Sequence, residues 1–179
     1  INGHSDTLIG FVSSDTKHAK PIRVSTKTLG ICPGSEEVYL ALRGLPTLHL
    51  RMKKIEFNAL ELARELHKHP LVDKVYHPAI ETSANHHIWK RDFTGSTGLF
   101  SFSLKKFYPK SEIKKMFSKI SIFKLGYSWG GYDSLITFPP LSKRKFKTTI
   151  KGNLIRVYCG LEDSSDQIKD IINSLKILK

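Results

Sequence analysis

The stretch Leu99-Phe-Ser-Phe-Ser-Leu104 alternates its residue types in the way that a β-strand requires. Neighbouring side chains of a strand point to opposite faces of its sheet. The two sets are Phe100, Phe102 and Leu104 on one face and Leu99, Ser101 and Ser103 on the other. Because the first set is entirely large and apolar, we predict a half-buried strand with this face against the core.

Three further segments are predicted to be strands. The segment Leu71–Tyr76 alternates and stops shortly before Pro78. The segment Leu154–Cys159 is apolar apart from Arg156. The apolar run Thr7–Ser13 is bounded by polar residues and is interpreted as a buried strand.

A long helical pattern lies between the predicted strands Thr7–Ser13 and Leu71–Tyr76. Apolar residues recur at steps of three and four between residues 38 and 66, and they trace one face of a helix. Gly44 and Pro46 interrupt the pattern. We therefore expect a short helix capped by Ser35, followed by a long one that begins near Pro46 and ends near Lys68.

Two shorter helices are predicted further along the chain. One begins at Pro109 and turns Ile113 and Met116 towards the core. The other is the last helix, where Ser164 and Gln167 have the spacing of a capping box. Since strands and helices mix without a strict βαβ rhythm, the predicted fold class is α+β.

The segment Phe123–Ser134 combines three glycines with aromatic and hydroxyl side chains. Glycine permits tight and irregular backbone, so we predict a loop that presents Tyr127, Ser128 and Trp129 together. Aromatic faces, hydroxyls and exposed amides are what a small polar ligand needs. An aromatic-rich turn that caps a core remains the alternative.

Arg156 makes a ligand site at this loop a definite hypothesis. Its side chain falls on the same face of its strand as those of Leu154 and Tyr158. A guanidinium in an apolar strand needs an acceptor, because an unpaired buried charge is costly. Its planar fork suits the carboxylate of an amino acid. An arginine that extends from a strand edge into water is the alternative.

Composition limits the classes of partner. The 179-residue chain is 40% hydrophobic and 25% charged, which is an ordinary globular balance. Its formal net charge of +13 raises the possibility of nucleic acid, but lysine supplies most of the excess and no nucleic-acid-binding motif is present. We therefore expect no nucleic acid partner.

Other features bear on compartment and metal. No run approaches the roughly 20 apolar residues of a membrane-spanning helix, and no leader pattern opens the chain, so we expect a cytoplasmic protein without a membrane partner. Cys32 and Cys159 lack metal-ligand spacing and are predicted to be reduced core thiols. His67, His69 and His77 lack a shared carboxylate and are interpreted as solvated surface rather than as metal ligands.

Several motifs together carry a resemblance to a known family. The motifs are Gly3-His-Ser-Asp6, Leu42-Arg-Gly-Leu45 with Thr47-Leu48, the segment Trp89–Phe102, Tyr127-Ser-Trp-Gly-Gly-Tyr132, and Leu154-Ile-Arg-Val157 with Gly160-Leu-Glu-Asp163. In this order the chain resembles the Cys/Met-metabolism family of pyridoxal-phosphate-dependent enzymes. Tyr127, Ser128 and Trp129 favour its cystathionine β-lyase branch over the γ-lyase and synthase branches.

The resemblance implies a specific α+β architecture. The chain would contain the C-terminal domain of a fold-type I pyridoxal-phosphate enzyme, with a mostly antiparallel sheet and helices on one face. Residues 1–34 would be the tail end of the large cofactor-binding domain, residues 35–70 the connecting helices, and residues 71–179 the C-terminal α+β domain.

The resemblance also implies a reaction and its participants. Arg156 would pair with the α-carboxylate of the substrate cystathionine, and Tyr127, Ser128 and Trp129 would form the substrate-side wall. The reaction would be a β-elimination that gives homocysteine, pyruvate and ammonia, with pyridoxal 5'-phosphate as the cofactor that carries the hard chemistry. Family members are homo-tetramers, so the partner would be further copies or a complementary N-terminal fragment.

The position of the Schiff-base lysine limits what this chain does alone. In the family that lysine lies four residues before the glycine that corresponds to Gly3, which places it ahead of Ile1. We therefore expect the isolated chain to be inactive and to bind the cofactor poorly, and its cofactor-binding residues stay unassigned. Two alternatives remain: a working lyase completed by a lysine-bearing N-terminal part, and a basic interaction module that no longer acts as an enzyme.

Overall fold

The computed structural model describes residues 1–141, 145 and 148–178. Most of the predicted basic connection over residues 143–147 therefore lies outside the described residues. The chain forms two compact units, Ile1–Leu48 and His49–Lys179. The predicted division into residues 1–34, 35–70 and 71–179 has other boundaries and remains a prediction.

The first unit contains two helices and a stretch without regular structure. The run Thr7–Ser13 forms no strand and is mostly exposed, so the prediction of a buried strand is wrong. A strand needs a neighbour for its backbone N–H and C=O groups, and none of the described residues supplies one. Sequence reasoning also missed helix α1 (Thr16–Thr28), which contains Pro21 and whose N-cap, Asp15, accepts a hydrogen bond from the backbone N–H of His18.

The predicted pair of helices is confirmed with small shifts at the ends. Helix α2 (Ser35–Gly44) leads through a 3₁₀ turn (Leu45–Thr47) into the 21-residue helix α3 (Leu48–Lys68). The predicted cap at Ser35 is wrong. The N-cap is Gly34, with no side-chain hydrogen bond, and Ser35 is the first helical residue.

The second unit is built on a five-stranded sheet. Its strands are β1 (Val72–Tyr76), β2 (Leu99–Leu104), β3 (Lys124–Leu125), β4 (Leu135–Thr137) and β5 (Leu154–Tyr158), and their order in the sheet is β1-β2-β5-β4-β3. Every neighbouring pair is antiparallel except β3 with β4. The predicted mostly antiparallel sheet is thus confirmed, as are the three predicted strands of this unit.

Three helices of this unit pack against the sheet and form one hydrophobic core with it. They are the long helix α3, helix α5 (Lys110–Phe117) and the last helix α6 (Ser164–Leu175), and between them in sequence lies the short helix α4 (His86–Asp92). Across the strands Val75 lies opposite Phe102, which lies opposite Ile155, so these side chains share one face. Phe102 and Ile155 are fully buried with Leu62 of α3 and Ile171 of α6. The α+β class is therefore confirmed.

Two predictions about burial are wrong, one for His77 and one for Cys32. His77 is not solvated surface: it is 1% exposed, its Nδ1 accepts a hydrogen bond from the backbone N–H of Ala79, and its ring meets that of Phe100 edge-on at 5.5 Å. Cys159 is buried as predicted, whereas Cys32 is exposed and is not a core thiol.

Candidate functional site

Arg156 lies on the sheet face opposite the helix-covered one. In the register of the sheet it stands between Ser101 of β2 and Thr137 of β4, which are its two cross-strand neighbours. Its side chain is half-buried. No hydrogen bond or ion pair joins the guanidinium to any other residue that the structure describes, so the acceptor that sequence reasoning required is not supplied within this part of the chain.

The aromatic loop (residues 126–133, between β3 and β4) approaches the same face. Tyr158 follows Arg156 by two positions on β5, so the two side chains share a face. The Tyr158 hydroxyl donates a 2.8 Å hydrogen bond to the carbonyl of Gly131 in this loop. Burial raises the pKa of Tyr158 to about 12, so the hydroxyl keeps its proton and remains a donor at neutral pH.

The predicted ligand-facing residues of the aromatic loop are open to solvent. Tyr127 and Trp129 are each 64% exposed, and Ser128 is exposed between them. The alternative that these aromatics cap a core is therefore wrong for this chain. The structure thus joins the loop at Gly131 to Tyr158, which lies two residues from the half-buried Arg156 on the same sheet face, while the aromatic side chains of the loop are exposed.

Asp170 of α6 holds residues 121–123, which come just before β3 and the aromatic loop. The Asp170 carboxylate accepts hydrogen bonds from the backbone N–H groups of Ser121 and Ile122, both at 2.8 Å, and of Phe123 at 3.2 Å. It also accepts from the Ser121 hydroxyl at 3.0 Å. Asp170 is 8% exposed, and these four donors compensate for the removal of its charge from water.

Ser134, which directly follows the aromatic loop, is fully buried and fixes the end of the loop. Its N–H and its hydroxyl donate to the two carboxylate oxygens of Glu162, both at 2.7 Å. Its hydroxyl oxygen accepts from the backbone N–H of Gly160 at 2.8 Å and from Nε2 of Gln167 at 3.0 Å. The hydroxyl is thus used both as a donor and as an acceptor.

The turn after β5 completes this arrangement. Nδ2 of Asn58, from α3, donates to the carbonyls of Gly160 at 2.9 Å and Glu162 at 2.8 Å. Gly160 has no room for a side chain, since a Cβ there would lie 2.1 Å from the carbonyl oxygen of Tyr132. The backbone of the aromatic loop therefore packs directly against this turn.

One predicted role changes as a result. Gln167 is not the second member of a capping box with Ser164, because its side chain is fully buried and binds Ser134. The N-cap of α6 is Asp163, which accepts from the backbone N–H groups of Ser165 and Asp166. Hydrogen bonding to Ser165 lowers the pKa of the Asp163 carboxyl.

Sequence reasoning missed five polar residues that hold the aromatic loop. They are Asn58, Ser134, Glu162, Gln167 and Asp170. A signal for two of them was present: Gln167 and Asp170 occur at helical spacing on the same stripe of α6 as Ile171 and Ser174, and polar residues on a buried stripe require partners. No pattern in the sequence indicates which partners those are.

The exposure of the lysines bears on which of them could form a Schiff base. A lysine that forms a Schiff base is usually desolvated, yet every lysine that the structure describes is exposed or half-buried. A hydrogen bond to Asp133 raises the pKa of Lys124, which favours its charged form. Among the described residues, no cluster of three or more histidine, cysteine or acidic side chains could hold a metal ion.

Comparisons with known proteins agree with the motifs. The sequence model of the family described as Cys/Met metabolism PLP-dependent enzyme matches residues 1–176. The cystathionine beta-lyase of Escherichia coli K12 is 38% identical over 174 residues, which is 94% of this chain and 44% of that protein. The L-alanine/L-glutamate racemase of Wolbachia pipientis wMel is 38% identical over 176 residues, which is 96% of this chain and 43% of that protein.

A solved structure is similar as well. The crystal structure of cystathionine gamma synthase from Xanthomonas oryzae pv. oryzae, in complex with aminoacrylate and cysteine, gives a TM-score of 0.84 at 27% identity and covers 98% of this chain and 47% of that one. The chain spans somewhat less than half the length of each of these relatives. No helix among the described residues is both long and apolar enough to cross a membrane.

The motifs, the matched residues and the fold agree, and the chain belongs to the Cys/Met metabolism family of PLP-dependent enzymes.

Proposed function

We propose that this chain is the C-terminal part of a cystathionine β-lyase and forms the substrate side of its active site. The observation that carries the proposal is Arg156, a half-buried cation without an acceptor among the described residues, on the sheet face where Tyr158 binds the exposed aromatic loop. In this proposal Arg156 binds the substrate α-carboxylate, and Tyr127, Ser128 and Trp129 line the pocket.

The electrostatics around Arg156 support a carboxylate ligand. The cross-strand neighbours on the sheet, Ser101 and Thr137, are neutral hydroxyl residues and offer no competing negative charge. A half-buried guanidinium with such neighbours gains most from an anion that can accept two parallel hydrogen bonds. The α-carboxylate of an amino acid has that geometry.

The chain's own contribution to the reaction is binding and orientation. Arg156 would fix the carboxylate end of the amino acid, so that rotation about the remaining bonds decides which bond at Cα is presented to the cofactor. When bound, pyridoxal phosphate supplies the stabilisation of negative charge at Cα that elimination requires. Because no described lysine is suited to hold it, we expect the isolated chain to release no pyruvate from cystathionine.

The surface of the unit Ile1–Leu48 supports the need for further polypeptide. Helix α1 has no buried residue, and large apolar side chains are exposed throughout this unit. The most exposed are Leu8 at 97%, Val12 at 75% and Leu29 at 71%. We propose that a lysine-bearing N-terminal part of the family fold, or further copies of the assembled protein as in a homo-tetramer, covers this surface, and that the complex acts in the cytoplasm.

A basic interaction module is the second candidate. The observation in its favour is the formal net charge of +13. Such a module would bind polyanions through counterion release, so binding would weaken steeply with added salt and would not depend on Arg156.

The first experiment tests the isolated chain. The purified protein is mixed with pyridoxal phosphate, reduced with borohydride and mapped for a labelled lysine. We expect no specific label and no pyruvate from cystathionine. One uniquely labelled lysine together with pyruvate release would contradict the proposal that the chain lacks its catalytic centre.

The second experiment supplies the missing part. Residues 1–179 are joined to the segment of the Escherichia coli cystathionine beta-lyase that precedes its matched region, and pyruvate release from cystathionine is measured. We expect activity that falls about ten- to hundredfold in kcat/KM for Arg156→Lys, the loss of a hydrogen bond to a charged group. Arg64→Ala, an exposed arginine of α3, is the matched control.

Two results would contradict the β-lyase proposal. One is racemisation of L-alanine by the joined protein without pyruvate release from cystathionine. The other is salt-sensitive binding of the isolated chain to heparin, unchanged by Arg156→Ala, combined with no turnover of the joined protein.

A further inference from the structure

We infer that Glu162 and Asp170 are positioning residues that set where the Tyr127–Trp129 segment lies relative to Arg156. The inference rests on the proposed function for the identity of the ligand. The underlying claim, that these two carboxylates fix the aromatic loop, concerns this chain alone and is testable without substrate.

Both carboxylates bind the ends of residues 121–134, a stretch that contains the two-residue strand β3 and the aromatic loop. At the start of the stretch, Asp170 accepts hydrogen bonds from three consecutive backbone N–H groups, those of residues 121–123. Glu162 takes the backbone N–H and the hydroxyl of Ser134 at its end. Neither carboxylate has a cation among these donors. Asp170 depends entirely on the stretch for its donors, whereas Glu162 also accepts from Nε2 of Gln167 at 3.0 Å.

Between these ends, backbone contacts hold Gly131, through the Tyr158 hydroxyl, and Tyr132, through the N–H of Leu161, but neither contact involves Tyr127, Ser128 or Trp129. Tyr127, Ser128 and Trp129 are exposed, so the core does not order their side chains. Gly130, at a φ of +88°, and Gly131 give the backbone freedom that other residues lack. Without the contacts at the two ends, we expect the Tyr127–Trp129 segment to sample more conformations.

The same turn connects these contacts to Arg156. Strand β5 carries Arg156 and runs directly into residues 159–162, whose carbonyls at Gly160 and Glu162 are bound by Asn58 of the long helix. Glu162 therefore belongs to a segment whose position relative to Arg156 is fixed by the sheet and by α3. Because Glu162 binds Ser134 at the end of the aromatic loop, it fixes that end of the loop relative to Arg156.

The polar residues involved are expensive to bury. Gln167 is fully buried and Asp170 is 8% exposed on the inward stripe of α6, where apolar residues would anchor a helix without needing partners. An anchor for α6 alone would not require that both side chains reach the two ends of one loop. The alternative, an ordinary helix contact, predicts that the loop is disturbed only in proportion to the stability lost.

The test compares three conservative variants in the full 179-residue chain. Trp89→Phe is introduced first, which leaves Trp129 as the sole tryptophan. The variants are Glu162→Gln, Asp170→Asn and the control Asp163→Asn. The control removes the charge of the α6 N-cap, which bonds only to residues within its own helix. Steady-state anisotropy of Trp129 is measured with the free energy of unfolding for each variant.

We expect a loss of Trp129 anisotropy in Glu162→Gln and Asp170→Asn that exceeds the loss in Asp163→Asn at a similar loss of stability. Glu162→Gln is informative because its amide would place a third donor on the Ser134 hydroxyl oxygen and leave the hydroxyl proton without an acceptor. Anisotropy that is unchanged, or that falls equally in the control, would overturn the inference.

The kinetic part uses the joined protein described above. If the loop is displaced from Arg156, KM for cystathionine rises several-fold in both variants while the control keeps its KM. An unchanged KM in the two variants overturns the positioning role even when anisotropy falls. If the joined protein turns over no cystathionine at all, the proposed function has failed, and the anisotropy comparison decides the inference about the loop by itself.

Discussion

Ser134 and Glu162 are joined by two hydrogen bonds of 2.7 Å, one from the backbone N–H and one from the hydroxyl of the serine to the two oxygens of the carboxylate. The pair spans 28 residues of sequence and ties the end of the aromatic loop to the turn that follows β5. Ser134 is fully buried and Glu162 is half-buried, so this paired contact is partly shielded from water and is worth more than one at the surface.

Removal of the Ser134 hydroxyl should destabilise the protein. In Ser134→Ala the N–H of Gly160 and Nε2 of Gln167 lose a buried acceptor. We expect a decrease of about 1–3 kcal/mol in the free energy of unfolding, measured by urea denaturation. Ser128→Ala, an exposed serine of the same loop, is the control and should change stability little; equal effects of the two substitutions would contradict the arrangement.

A side chain at Gly160 should be poorly tolerated. The Cβ of Gly160→Ala would lie 2.1 Å from the carbonyl oxygen of Tyr132, and backbone has to move to relieve that contact. We expect a loss of about 1–3 kcal/mol in thermal or chemical unfolding. At Gly126 in the same loop a Cβ meets only the Leu135 side chain, at 3.4 Å. Gly126→Ala should therefore cost clearly less, and the reverse order would show that the loop packs differently.

Periodicity was sufficient to predict three of the five strands of the second unit and its helices α3, α5 and α6. The alternation over Leu99–Leu104 gave the strand, its inward face and, by extension, the face on which Arg156 stands. These predictions depend on short-range geometry, since each strand or helix repeats its own pattern. Strands β3 and β4, of two and three residues, were missed because they are too short to show a period, and β3 lies inside the predicted loop Phe123–Ser134. The short helix α4 was missed as well.

The predictions that failed depend on distant partners. Thr7–Ser13 has the composition of a buried strand, but a strand exists only where another backbone pairs with it. His77 was interpreted as solvated surface once metal binding had been set aside, whereas here its ring packs edge-on against Phe100. The contacts of Glu162 with Ser134 and of Asp170 with Ser121 join residues that are far apart in the sequence. A single sequence, considered without an alignment, contains no signal for such pairs.

The burial of His77 predicts a loss of stability on acidification. Burial lowers the pKa of its imidazole below the ordinary value of 6.5. Below about pH 6.5 the unfolded chain therefore binds a proton that the folded chain does not, and the free energy of unfolding falls until the pH reaches the lower pKa of the folded state. Urea denaturation at about pH 7.5 and about pH 5.5 measures the difference.

Two variants identify the histidine responsible. His77→Asn keeps an acceptor for the N–H of Ala79 but cannot titrate, so the stability difference between the two pH values should shrink. Burial lowers the pKa of His69 as well, though much less of that side chain is covered. His69→Asn should therefore leave most of the difference in place, and a difference that persists in His77→Asn would assign the effect to another group.

The two cysteines should react at very different rates. Burial raises the pKa of the Cys159 thiol far above its usual range, so almost no thiolate is present at neutral pH, and the sulfur is also out of reach of solvent. Cys32 is exposed. Brief treatment of the native chain with iodoacetamide, followed by peptide mass mapping, should therefore label Cys32 alone, and both should be labelled after denaturation.

The labelling of Cys159 also reports on the central strand β5, which it follows. Its backbone N–H donates to the carbonyl of Gly98, next to β2, so we expect the thiol to become exposed when β2 and β5 separate. Labelling should then rise with urea in parallel with global unfolding. Modification of Cys159 in the native chain at the rate of Cys32, or at urea concentrations well below the unfolding transition, would mean that β5 and its Arg156 are not held as rigidly as the site requires.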